Sequence, residues 1–551
     1  MADISTLETD PSQTPRANSK AEVSNTSHVE VNLDDEQQQL GHLANQEDHE
    51  LGVYASLRKY PWACVWCAYA CWTIILCSFE LQAAGSVLGI PTFRKDFGEE
   101  FNGNYVLPAA WQSAFNAAPV ASATFGVLGA AAIADYMGRQ WTIVGALVVS
   151  FVAITMEFVS TTKGVFFGGK FLNGFATGTI QAVMTTYIDG LQITPLAWRG
   201  IFTVGIGIAF GVGPLVAFII VNYTGDVDTR WAYRTVFCCQ YGFAAVSALL
   251  VYFMPESPWW LVSKGRKQKA LKNLGKLGHR GEEGRKKLAL IELTLEEIKR
   301  ETEGVTYLEC FRKSNLRRTI ISIGPLIIQV LTGITFVAGY FTYYLQIAGY
   351  STEMSFRIQI AQPVLSIFGN LVAAVIIDRV GRRNLTFYGL CVLVGLLFIE
   401  GGLATGGSPA EIKGTVAMIL IYSWMYNVSI GSTAFSIMTE TSTSRLRVKT
   451  IAIGLALQNA INVMWQFVLP YMFNPDKGNL GGKVAFVFGG PSFLCIAYLW
   501  FFQPETAGRT YEELDEMFTK RVPARKFKTY RTEAQTKGEV VKEVHMKSAH
   551  E

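Results

Sequence analysis

Two short words recur in this chain about one half-length apart. Asp135-Tyr136-Met137-Gly138-Arg139 returns 243 residues on as Asp378-Arg379-Val380-Gly381-Arg382-Arg383. Pro255-Glu256-Ser257 returns 249 residues on as Pro504-Glu505-Thr506. Such similar offsets mean that whole halves repeat, not isolated words. In a strongly apolar chain this predicts two homologous helical bundles, with a site between them as in many secondary transporters.

The composition fits that reading. Half of the 551 residues are hydrophobic, 13% are aromatic and only 17% are charged, a balance unlike that of an ordinary soluble domain. A bilayer asks for about 20 apolar residues per helical span. Twelve windows qualify, near 62–90, 109–134, 141–161, 165–190, 200–223 and 233–254, then 319–347, 357–377, 384–404, 414–439, 448–473 and 484–502. The fold class is therefore an all-α membrane protein with twelve transmembrane helices in two pseudo-symmetric six-helix bundles. The expected organisation is a disordered tail at 1–61, a first bundle at 62–262 and a linker at 263–318 with amphipathic helices. A second bundle at 319–502 and a tail at 503–551 follow.

Basic residues in short loops set orientation. Arg139, Arg199, the linker, Arg379, Arg382, Arg383, Arg445, Arg447 and Lys449 fall on one side, so both termini and the linker are expected in the cytoplasm. Asn222-Tyr223-Thr224 then falls on an outward loop as a candidate glycosylation site. The net charge of +4 gives no reason to expect nucleic acid. Nine cysteines show neither metal nor disulfide spacing. Cys64 and Cys67, with Cys71 and Cys77, read as small apolar side chains of one span. Neither a metal nor a cofactor is expected, no arrangement of residues suggests an enzyme, and the chain reads as a monomer in the lipid bilayer.

Asp135 and Arg139, with their repeats Asp378 and Arg382, sit at boundaries between spans. Their charges can pair with neighbouring helix ends, and Gly138 permits a tight turn. Glu256, Glu505, Glu440, Arg199 and Arg445 complete a candidate cytoplasmic latch. Arg199-Gly200, Pro255–Leu261, Pro504–Thr510 and the two Asp-to-Arg turns together resemble the sugar porter family of the major facilitator superfamily, over about residues 62–518. Pro470–Lys483 and Tyr511–Phe518 resemble its fungal maltose and α-glucoside permease branch. The resemblance implies movement of a sugar or related polyhydroxylated solute by alternating access, facilitated or proton-coupled, at the plasma membrane.

Glu80 is the most telling charge inside a span, because an intramembrane carboxylate is expensive unless paired or titrating. Proton-coupled members of the family carry an acid in the first span and a base early in the fourth. The matching residues here are Glu80 and Lys170. They form either a proton-coupling pair, in which protonating the acid releases the base, or a structural ion pair. Glu157 and Glu400 also fall in apolar stretches, near span ends, where an interfacial position is expected.

For the cargo, the resemblance points to Gln329 and to the seventh, tenth and eleventh spans. Tyr343, Tyr344, Trp424, Asn427, Phe435, Gln458 and Asn462 supply rings and amides suited to a sugar. Interhelical hydrogen bonding is the rival role for each of them. The family pattern is also thinned. Val330 and Thr335 replace amides of the seventh span, Gly207 and Pro214 stand where the fifth commonly carries them, and Gln192 replaces an acid whose second-half counterpart is Glu440. A metabolite exporter with an altered pocket, and a sensor that binds sugar without moving it, are the alternative readings.

Overall fold

The computed structural model describes residues 58–101, 104–189, 199–302, 306–406, 408–443, 445–474, 477–507, 509 and 511–532. The first half forms helices Pro61–Leu88, Ala109–Met137, Arg139–Val159, Lys163–Asp189, Arg199–Thr224 and Trp231–Val251. In the second half the eighth, ninth, eleventh and twelfth spans are Thr352–Val380, Arg382–Leu403, Arg447–Phe473 and Val484–Phe502. Among the described residues, ten helical segments are long and apolar enough to cross a membrane. The fourth, which carries Lys170, and the tenth, which is split, fall short of that length or apolarity.

The seventh and tenth spans, each expected as one helix, are both broken. The seventh runs Lys313–Leu331 and Ile334–Ile347, and the tenth runs Pro409–Val428 and Ile430–Thr441. At the first break Gly333 takes φ +97°, and a Cβ there would lie 2.9 Å from the Phe488 ring. At the second, Ser429 leaves helical geometry with φ −107° and ψ −107°. Backbone groups freed inside a membrane must find partners within the protein. Here side chains of the two broken spans reach each other's backbone. The Tyr422 hydroxyl of the tenth span donates to the Thr332 carbonyl at 2.5 Å, and Gln329 of the seventh donates to the carbonyls of Ile430 and Gly431, both at 3.0 Å.

The repeated words prove to be one device made twice. Gly138 and Gly381 turn the chain at φ +94° and +91°, conformations that disfavour any side chain. The third and ninth spans begin at the next residue. Glu256 accepts from the backbone N–H groups of Arg139 (2.8 Å) and Gln140 (3.1 Å), and Glu505 accepts from that of Arg382 (2.9 Å). Each Pro-Glu carboxylate thus caps the helix that its Asp-to-Arg turn starts, where the helix dipole favours negative charge. A Cβ on either glycine would fall 2.5 Å from the capping carboxylate, so this approach also needs glycine.

Within the halves, the second span packs on the fourth and the first on the fifth. Between halves, the second meets the eleventh and the fifth meets the eighth. On the face that carries the two turns, helices Pro258–Ser263, Lys267–Leu277 and Gly281–Thr302 build the linker around Trp259, Trp260, Leu274 and Ile291. Glu283 ties this linker to the start of the first span through Tyr60 and Lys59. The hydrogen bond with His279, followed by those with Tyr60 and Lys59, holds the Glu283 carboxyl down at about 2. After the last span, helix Tyr511–Thr519 docks through Asp515 on Arg318.

Candidate functional site

The first-half bundle contains a closed ionic cluster. Lys170 places its Nζ 3.0 Å from Glu80 Oε1 and 3.1 Å from Glu157 Oε2, and all three side chains are fully buried. The other carboxylate oxygens are held too. Gln240 donates to Glu80 Oε2 at 2.9 Å, and Asn173 donates to Glu157 Oε1 at 3.3 Å while accepting from Ser150 at 2.8 Å. The ammonium also stands 4.9 Å from the centre of the Phe237 ring, where the π face favours a cation.

This corrects two sequence expectations. Glu157 is not interfacial, because Lys170 and Asn173 of the fourth span cover it. The third and fourth spans close over it at Gly169, where a Cβ would lie 2.8 Å from Glu157 Cγ. Nor is Glu400 interfacial: it lies 1% exposed inside the second half. It follows Glu157 by 243 residues, the spacing of the repeated turns. The release step also changes form, since a Lys170 freed by Glu80 would still be held by Glu157.

In the second half, Gln329 joins Gln458, which donates to its Oε1 at 2.8 Å. With both N–H groups committed to the break in the tenth span, the Gln329 amide serves the fold. Thr335 donates to Asn462 Oδ1 at 3.2 Å. Asn427 donates to the Ser423 carbonyl at 2.8 Å and belongs to a ladder absent from the sequence reading. The Ser432 hydroxyl donates to its carbonyl and lies 3.1 Å from Asn370 Oδ1, and Gln362, Ser366 and Ser423 continue the chain with contacts of 3.1 Å. The sequence signal was present: Gln359, Gln362, Ser366 and Asn370 recur at helical spacing on the eighth span. Asn370 crosses to the other half, donating to the Gly207 carbonyl at 3.4 Å.

Tyr343 and Tyr344 occupy the second piece of the seventh span, buried against Phe473 and Phe336 respectively. Arg94, on helix Pro91–Phe97, stands over the Tyr343 ring at 5.7 Å. Among the described residues the buried indole N–H of Trp424 has no partner, and Phe435 is 47% exposed. Asn222 falls in the last turn of a helix, not on the expected loop. Its Oδ1 is buried, and the Thr224 hydroxyl is committed to the Ile220 and Ala232 carbonyls.

Of the expected latch, Arg139 pairs with the exposed Asp135 at 3.3 Å, and Arg382 pairs with Glu440 at 3.1 Å. Arg445 reaches Glu309 instead, at 3.5 Å. The Arg199 and Asp378 side chains, and all of Gln192, lie outside the described residues.

The doubled six-span bundles find a match in known proteins. The model of the family described as sugar (and other) transporter matches residues 66–518. The chain belongs to this family. It is 29% identical over 495 residues to a general alpha-glucoside permease of Saccharomyces cerevisiae, covering 88% of this chain and 80% of that protein. A maltose permease of the same yeast is 30% identical over 518 residues, covering 92% and 84%. Among solved structures, a partially occluded inward-open form of the xylose transporter of E. coli superposes with a TM-score of 0.67 at 18% identity, covering 82% of this chain and all of that one. A form described as a proton:xylose symporter bound to 6-bromo-6-deoxy-D-glucose gives 0.64 at 21%, covering 83% and 99%. These two share its fold, the major facilitator fold. The chain is a multi-pass membrane transporter, not an enzyme.

The double role of Gln329 carries a prediction. Gln329→Ala removes the side-chain donor that joins the seventh span to the Ile430 and Gly431 carbonyls, at a cost of about 0.5–1.5 kcal/mol. Thermal unfolding of the purified chain is expected to fall together with uptake. A variant that weakens substrate affinity at unchanged thermal stability would show that the amide serves cargo instead.

Proposed function

We propose that this transporter carries a sugar or related polyhydroxylated solute across the plasma membrane by alternating access, coupled to a proton. The observation behind the coupling is the fully buried Glu80–Lys170–Glu157 cluster. A set of charges this costly in a membrane interior argues for a titrating function. The α-glucoside and maltose permeases it resembles support the solute class. So does the second-half array of Gln458, Thr335, Asn462 and Asn427, with neutral donors and acceptors suited to hydroxyls.

In this reading the face with the two turns and the linker is cytoplasmic, by its arginines and lysines. The halves are then joined across their outer ends. Gln82 donates to the Ala338 carbonyl at 2.7 Å, Gln346 to that of Gly89 at 2.8 Å, and Ser113 to that of Phe467 at 3.0 Å. Opening to the outside requires those bonds to break. The chain acts as a monomer.

Uptake of a panel of labelled sugars in a transporter-deficient yeast, with and without an uncoupler, tests the proposal. Glu80→Gln is expected to abolish uphill accumulation while sparing exchange. Transport of no sugar in the panel would overturn the cargo assignment and favour export of a small metabolite. Accumulation that survives Glu80→Gln would remove Glu80 from the coupling.

A further inference from the structure

The cluster holds two carboxylates and one ammonium. With every group ionised it carries one negative charge in a site closed to water. With one proton added it is neutral. We propose that Glu80 and Glu157 share a single proton above Lys170, and that Glu157 keeps Lys170 paired in the state where Glu80 is protonated. This rests on the proton-coupled reading and changes its central step. The proton goes onto a Glu80 oxygen, the contact between Glu80 and Lys170 loosens, and the ammonium stays on Glu157 instead of becoming a free buried cation.

The geometry favours these roles. Glu157 belongs to the same closed packing as the base, seated against Gly169, with Asn173 on one oxygen and Ser150 fixing the direction in which Asn173 donates. Glu80 is held from another element, through Gln240 of the sixth span. Lys170 can therefore stay with Glu157 while the first span moves.

The groups that face the cluster leave its charge count intact. The first span adds the Cys77 thiol, which donates to the Thr177 carbonyl. The sixth adds neutral Gln240 and the Phe237 ring, and its Arg234 stands farther out over Phe158, at 5.6 Å from that ring. Glu157 therefore acts both on Lys170, as its remaining partner, and on the proton it shares with Glu80.

Infrared difference spectroscopy on the purified full chain in lipid vesicles tests this without any substrate. It reads the carbonyl stretch of protonated carboxylic acids at neutral pH. The wild type is expected to show a component that disappears in Glu80→Gln and equally in Glu157→Gln. Either change leaves the surviving acid as the sole counter-ion of Lys170, and therefore ionised. A wild type with no component sensitive to Glu80→Gln, or a Glu157→Gln protein that keeps that component, would overturn the proposal.

Should Glu157→Gln fail to fold, Asn173→Ala takes a donor from Glu157 alone. It shifts the frequency of the component if Glu157 shares the proton, and leaves it unchanged if Glu80 holds the proton by itself. The sugar-uptake panel is read separately. Its failure removes the cargo assignment, whereas the infrared result decides the shared proton either way.

Discussion

Lys170→Met is expected to leave little folded protein. It removes the only ammonium between two carboxylates that are themselves fully buried. Breaking a buried ion set from one side costs about 3–5 kcal/mol, because the surviving charges have lost their partner and cannot reach water. Replacing the whole set by neutral groups carries no such penalty. The triple variant Lys170→Met, Glu80→Gln, Glu157→Gln should therefore recover the monodisperse peak and most of the thermal stability of the wild type. It should show no uphill accumulation of any sugar. Size-exclusion profiles and unfolding midpoints of the full chain measure both effects. A single Lys170→Met as stable as the wild type would mean that neither acid is ionised against the lysine.

The contrast among the acids shows what the sequence could reveal. Glu80 stood out because a carboxylate in the middle of an apolar run is costly unless it is paired or titrating. Lys170 followed by its place in the family pattern. Glu157 and Glu400 lie nearer the ends of their spans, where a carboxylate can reach water by itself. Whether it does depends on the neighbouring helix, and for Glu157 that is decided by the absence of a side chain at Gly169.

The broken spans were hidden for a similar reason. Thr332-Gly333 and Ser429 interrupt apolar runs without adding charge, so hydropathy passes through them. Gln329 was found as a residue but not in its role, since its partners Ile430 and Gly431 lie 101 and 102 residues away. Backbone carbonyls leave no mark in a side-chain pattern. The twelve spans and their two-fold repeat were legible because length, apolarity and repeated words are local properties.

The capping carboxylates give the second large effect, and it should be unequal between the halves. Glu256→Ala strips the acceptor from the N–H groups of Arg139 and Gln140 at the start of the third span. A hydrogen bond to a charged group contributes about 1.5–3 kcal/mol, and the loss also exposes the positive end of the helix dipole. The corresponding position in the second half has a reserve. Glu440 holds the Arg382 guanidinium at 3.1 Å and accepts from Thr506 at 2.5 Å, so negative charge stays beside the ninth span after Glu505→Ala. The first half has Gln192 where the second has that acid.

Glu256→Ala is therefore expected to lower stability by about 2–3 kcal/mol, and Glu505→Ala by about half as much. Glu256→Gln, which keeps an acceptor without the charge, should fall between the wild type and Glu256→Ala. Hydrogen exchange at Arg139, Gln140 and Arg382 reads the two caps independently, and thermal unfolding of the full chain reads their cost. Equal losses would remove Glu440 as the reserve. Both caps lie within their own half, so their loss should loosen a bundle without changing which face of the transporter is open.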